Sequence, residues 1–170
     1  MKILIAYASK HGATALIAER IGATLRRRDL DASVLRISDV PEPLRCDAAV
    51  VGSAVNMGRW MKEATSFVRE HQAELVQVPL WLFSSGPVGP KSLPEAAELA
   101  EFRTLLTVSG DAMFDGTLDA QKLSLSERMI VKAVRAPYGD YRNWDRIDEW
   151  AGSIAAALGA SAGTPRVQMA

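Results

Sequence analysis

Residues 3–14 read Ile3-Leu4-Ile5-Ala6-Tyr7-Ala8-Ser9-Lys10-His11-Gly12-Ala13-Thr14, an unbroken apolar run that stops at a loop of hydroxyl, basic and glycine residues. A short run without polar alternation suits a strand buried on both faces of a parallel sheet. Past the loop, Ala13, Leu16, Ile17, Ile21 and Leu25 recur at helical spacing. Arg26, Arg27 and Arg28 stand where cations favour a helix C-terminus, so a helix is predicted over Ala13–Arg28. Further along, Ala32–Ile37, Ala48–Val55 and Leu80–Phe83 read as strands, and Leu105–Val108 with Ala112–Phe114 as one more, interrupted near Gly110-Asp111. Helices are expected over Met61–Leu75, from Pro94 to Thr104, over Lys122–Arg135, and at the end, where Ile147, Trp150, Ala151, Ile154 and Leu158 share a face. Five strands alternating with helices point to an open, doubly wound α/β sheet, in which a ligand lies at the C-terminal strand ends. The expected organisation is one domain over residues 1–160 and a loose tail over 161–170.

Composition narrows the classes. Twenty basic and twenty acidic side chains cancel, so net charge recruits neither nucleic acid nor an acidic partner. Cys46 is the single cysteine, which leaves no internal disulfide and fits a reducing cytosol. Ahead of a strand, it reads as a small apolar filler rather than a redox thiol. No stretch approaches the length of a membrane-spanning helix, and the start at Met1-Lys2 lacks a secretory signal, so the mature chain is expected to begin there. Two histidines, with His71 expected at the surface, build neither a Ser/His/Asp set nor a metal cluster.

Three strands run into small-residue loops: Ser9-Lys10-His11-Gly12-Ala13-Thr14, Ser53-Ala54-Val55-Asn56-Met57-Gly58 and Ser84-Ser85-Gly86-Pro87-Val88-Gly89. In the first, Gly12 permits a tight turn, Ser9 and Thr14 offer hydroxyls, and free N–H groups of the following helix point the same way. That combination makes an anion site suited to a phosphomonoester. It is neither a P-loop nor a dinucleotide fingerprint, since the Gly-Lys-Ser/Thr and G-x-G-x-x-G patterns are missing.

The first loop resembles the phosphate loop of flavodoxin-like FMN proteins, Ser/Thr-x-Thr-Gly-x-Thr. Ser9, Gly12 and Thr14 match, and His11 replaces a Thr. Val51–Trp60 is similar to the family's flavin-ring loop. Tyr138–Asp145, with Ile147 and Trp150, resembles the C-terminal signature of the branch that includes menaquinone-dependent protoporphyrinogen dehydrogenases. The resemblance covers residues 1 to 158. It implies a three-layer α/β/α fold with a five-stranded parallel sheet of order 2-1-3-4-5, and FMN across the ends of strands one, three and four. It also implies Ser9–Thr14 as phosphate ligands, Ser53–Gly58 as backbone contacts to the ring, Ser84–Gly89 as the other wall, and Trp60 either stacked on the ring or anchoring the next helix.

By the same resemblance the protein is an FMN-dependent oxidoreductase. It would pass electrons from a planar small-molecule substrate to a quinone-like acceptor, with flavin N5 as the reactive centre and no catalytic side chain. An electron carrier for protein partners and a flavin-free interaction module are the alternatives. Ser53–Trp60 and Ser84–Lys91 hold no acidic residue but do hold Arg59 and Lys91, so a raised flavin potential is expected if those cations face the ring. Lys122–Arg135 is basic and amphipathic. It suits peripheral contact with an anionic inner-membrane face, or an ordinary packed helix.

Overall fold

The structure, a computed structural model, describes residues 1–86, 95–119, 121, 124–133 and 138–162. Its centre is a parallel sheet of β1 (Lys2–Ala8), β2 (Asp31–Arg36), β3 (Ala48–Asn56), β5 (Leu80–Gly86) and β6 (Val108–Asp115), in the order β2-β1-β3-β5-β6. The short β4 (Arg59–Trp60) folds back antiparallel on β3, so the five long strands, counted along the chain, stand in the expected 2-1-3-4-5 order.

Alternate residues of the central strands serve two separate cores, which is why they carry no polar face. Ile3, Ile5, Val50, Trp81 and Phe83 pack with Ile17, Ile21 and Leu25 of α1 (Ala13–Arg26) and with Ile147, Ile154 and Leu158 of α6 (Trp144–Ala162). On the opposite face Leu4, Ala6, Val51 and Leu82 meet Phe67 and Val68 of α2 (Lys62–Glu70) and Leu99 and Phe102 of α4 (Ala97–Leu105). Three layers result.

Several boundaries differ from the expectations. The helix over Met61–Leu75 breaks at His71 into α2 and α3 (Gln72–Leu75). His71 is buried rather than exposed: its ring packs on Phe67 at 4.5 Å, and Nε2 lies 3.0 Å from Glu42 Oε1. Leu105 closes α4 instead of opening a strand. β6 runs unbroken through Gly110-Asp111, with the pairing stepping from Leu80↔Val108 to Trp81↔Gly110, so Ser109 is the extra residue of a bulge. α6 continues through Ser161 to Ala162, past the expected start of the tail.

After β6 the chain makes an excursion whose helix falls within the expected Lys122–Arg135 and whose two short strands the periodicity did not mark. β7 (Thr117–Leu118) pairs antiparallel with β8 (Gly139–Asp140), and α5 (Leu125–Ala133) lies between them. At its base the Gly116 N–H donates to the Gly86 carbonyl at 2.8 Å and the Tyr141 N–H to the Gly116 carbonyl at 3.2 Å, so the excursion starts and ends beside the tip of β5. Arg142 secures the return. Asp140 accepts from its Nε and Nη2 at 2.8 and 2.6 Å, and its guanidinium lies 4.5 Å from the Trp144 ring centroid.

Candidate functional site

Sheet register sets the site. Ala8, Ser53, Ser84 and Met113 are mutual partners across four strands, and neighbouring strands lie about 4.8 Å apart. The loop after β1, the β3–β4 hairpin and the end of β5 therefore leave the sheet side by side at its C-terminal edge.

In the first loop Ser9 is buried, and its Oγ accepts the Gly12 N–H at 3.0 Å, closing the turn. Gly12 has φ 88°, a conformation that costs a side-chain-bearing residue about 1–2 kcal/mol, and a Cβ there would meet nothing within 4 Å. Lys10 is exposed, His11 and Ala13 are half-buried, and Thr14 is buried in the first turn of α1. Among the described residues no side-chain cap hydrogen bond is made at the N-terminus of α1, so its positive end and N–H groups lie beside the loop. That cradle fits a phosphate monoester.

The second loop is a hairpin with two residues at its tip. Met57 (φ 51°) and Gly58 (φ 74°) are both left-handed, and Asn56 pairs with Arg59. Met57 is 89% exposed. The base of the hairpin faces inward: Val55 joins the core, and the Ser53 hydroxyl donates to the Ala54 carbonyl at 2.8 Å and accepts the Met61 N–H at 2.9 Å.

Trp60 also points inward. It is 4% exposed, packs edge-on against Phe102 at 5.5 Å and donates its indole N–H to Ser84 Oγ at 2.8 Å. These contacts bind it to α4 and β5 rather than to the helix that follows it, and they make it a core residue of the hairpin. The third segment differs as well. Ser84, Ser85 and Gly86 are buried strand residues rather than loop, and Pro87, Val88, Gly89 and Lys91 lie outside the described residues.

The residue that sequence reading missed is Glu98. This buried carboxylate accepts the Arg59 Nε–H at 2.8 Å and the Trp60 backbone N–H at 3.1 Å. Burial pushes Glu98 up, but the hydrogen bonds from Trp60 and Arg59 outweigh it and hold the carboxyl below its ordinary value. Arg59 is therefore neutralised, which removes the expected excess of positive charge on the hairpin. No local signal reveals a pair separated by 39 positions. Cys46, half-buried against the α2 side, has its thiol pushed up by burial, in keeping with a filler role.

The model of the Flavodoxin domain matches residues 4–145. The chain belongs to this family. Membership indicates FMN as the cofactor. Protoporphyrinogen IX dehydrogenase [quinone] of Escherichia coli K12 is 21% identical, the alignment spanning 91% of this chain and 95% of that protein. Among solved structures, an archaeal flavodoxin superposes with a TM-score of 0.65 at 19% identity, covering 94% of this chain and 99% of its own. The rubredoxin:oxygen oxidoreductase of Desulfovibrio gigas reaches 0.69 at 14% identity, covering 96% of this chain and 37% of the other. These likenesses carry the fold.

Proposed function

We propose that the protein is an FMN-dependent oxidoreductase passing electrons from a planar organic substrate to a quinone-like acceptor, a reading supported by the name of its Escherichia coli relative, a quinone-linked protoporphyrinogen IX dehydrogenase. The single observation that supports it most is the row from Ala8 to Met113, which sets three loop exits together where α1 aims its uncapped N-terminus. FMN, when bound, supplies the electron-accepting centre at its ring, so no side chain has to act as acid, base or nucleophile. In this reading the Ser9–Thr14 backbone and hydroxyls hold the phosphate, with Lys10 and His11 at its rim. Asn56, Met57 and Gly58 lie along the ring, Ser53, Ala54 and Val55 support them from below, and Ser85-Gly86 opens the opposite wall.

α5 belongs to the same proposal. Leu125 and Met129, one turn apart, are 80% and 68% exposed, with Lys132 exposed nearby; such a face suits the anionic surface from which a quinone is reached, on the cytoplasmic side of a membrane. Among the described residues no helix is long and apolar enough to cross it. Lys122, Leu123, Val134 and Arg135 lie outside the described residues. Sedimentation should bring the protein down with vesicles containing anionic lipid and not with neutral ones; equal behaviour with both removes the membrane role.

The carrier reading keeps one supporting observation, since the neutralised Arg59 takes away the charge argument against it. Reconstitution with FMN separates the readings. A yellow protein reduced by protoporphyrinogen and reoxidised by a menaquinone analogue is expected. A yellow protein inert to both but reactive with a redox protein would be a carrier, and a colourless one an interaction module.

A further inference from the structure

The β3–β4 hairpin is held by a residue that lies on neither of its strands. Glu98 stands in the first turn of α4, 3% exposed, and receives both the Trp60 N–H and the Arg59 Nε–H. One residue earlier, the Ala97 N–H donates to the Gly58 carbonyl at 3.3 Å. Three hydrogen bonds thus tie the start of α4 to Gly58, Arg59 and Trp60 in succession. α4 is itself anchored at its other end, where Arg103 bridges Glu95 and Asp111 of β6. The Arg59–Glu98 pair is lopsided: the carboxylate is enclosed, while the Arg59 side chain is 72% exposed. A buried carboxylate is tolerated only with such partners.

We propose that Glu98 is a positioning residue for FMN: it fixes the hairpin beside the ring and, with Arg59, keeps the net charge there at zero. The proposal rests on the reading that the hairpin lies along the ring. Coulomb energy falls only as the inverse of distance and is weakly screened at the enclosed carboxylate but more strongly at the exposed guanidinium, so each charge acts on a nearby flavin once the other is removed, the carboxylate more than the cation. Glu98→Gln keeps an acceptor for the Trp60 N–H but leaves Arg59 uncompensated, which favours the more negative, reduced cofactor. Arg59→Gln leaves the carboxylate uncompensated and disfavours it. A clamp with no electrostatic part would loosen the hairpin in both variants and move both potentials the same way.

The test is potentiometric titration of the FMN-loaded wild type, E98Q, R59Q and the double variant, alongside FMN affinity by fluorescence quenching. The expected result is a potential above wild type in E98Q, below it in R59Q and close to it in the double variant. The dissociation constant should rise about ten-fold in E98Q, as loss of a charge-assisted hydrogen bond predicts. Potentials that stay at the wild-type value, or that shift with the same sign, overturn the proposal while leaving the cofactor reading intact. If E98Q does not fold, R59Q, altered at an exposed side chain, decides alone: a lowered potential supports the proposal and an unchanged one overturns it. A wild type that binds no FMN overturns the underlying reading and this proposal with it.

Discussion

Trp60→Phe separates a core residue from a cofactor contact. The change removes the indole N–H that reaches Ser84 Oγ at 2.8 Å, where Ser84 has no exposed surface, and part of the ring that packs against Phe102. Leaving a buried hydroxyl without its partner costs about 1–3 kcal/mol, and the vacated volume adds a penalty of about 24 cal/mol per Å³. Together these give roughly 2–4 kcal/mol. For a domain of this length each kcal/mol moves Tm by about 2–4 °C, so thermal denaturation followed by circular dichroism should fall by about 4–16 °C. Ser84→Ala breaks the same bond from the other side, and the double variant should lose about 1–2 kcal/mol less than the two single changes added together. At saturating FMN the flavin absorbance band and its quenched fluorescence should stay as in the wild type. A Tm within about 2 °C of wild type, accompanied by an altered flavin spectrum, would refute the core placement and restore the stacking role.

Gly12→Ala should lower stability in chemical denaturation by about 1–2 kcal/mol, the left-handed penalty at φ 88° in a turn closed by Ser9; a variant of wild-type stability would show that the loop does not need this conformation. Gly52→Ala should be far more damaging, since its Cβ would fall 2.0 Å from the Phe83 ring, which is held by Phe114 and Trp150; a loss of about 3 kcal/mol or more in chemical denaturation is expected, and a folded variant of wild-type stability would contradict it. Hydrogen bonds from Arg20 and Thr24 and the nearby charges of Arg20 and Arg27 hold Asp148 at about 2, so its contribution is complete above pH 4 and is lost as pH falls from about 4 towards 2. With Arg20 partly solvated the loss is about 1 kcal/mol. Acid denaturation of Asp148→Asn should lack that component, and wild-type-like acid sensitivity in the variant would count against it.

The sheet was legible because its strands are buried on both faces and so carry an unbroken apolar signature, as Ile3–Ala8 and Ala48–Val55 do. Strand order follows from the family resemblance, not from those runs. The short pairings were not legible. β7 and β8 are two residues each, brought together from positions more than twenty apart, and the β3–β4 turn places Met57 where Asn would be the usual signal of a left-handed position. His71 was read as exposed from the polar residues that end its helix, whereas its spacing of three or four from Phe67, Val68 and Leu75 already puts it on the buried face.

Within the site, the residues that announced it are not all the ones that face it. Hydroxyl residues at strand ends were read as ligands because Ser and Thr can donate to a phosphate or a ring edge. At the edge of a buried sheet, however, the same hydroxyls are the smallest groups able to satisfy backbone N–H groups where the ladder stops. Ser53 does this for Met61, Ser9 for Gly12, and Ser84 takes the indole N–H of Trp60. Ser53, Ser84, Trp60 and Glu98 form a support beneath the hairpin, and what that support leaves outward is the Asn56–Arg59 stretch and the uncapped start of α1. On the proposed reading a site built this way draws its selectivity from backbone placed by buried bonds, and its tolerance to substitution should be lowest beneath the hairpin, at Ser53, Ser84 and Glu98, rather than at Met57, whose side chain projects into solvent.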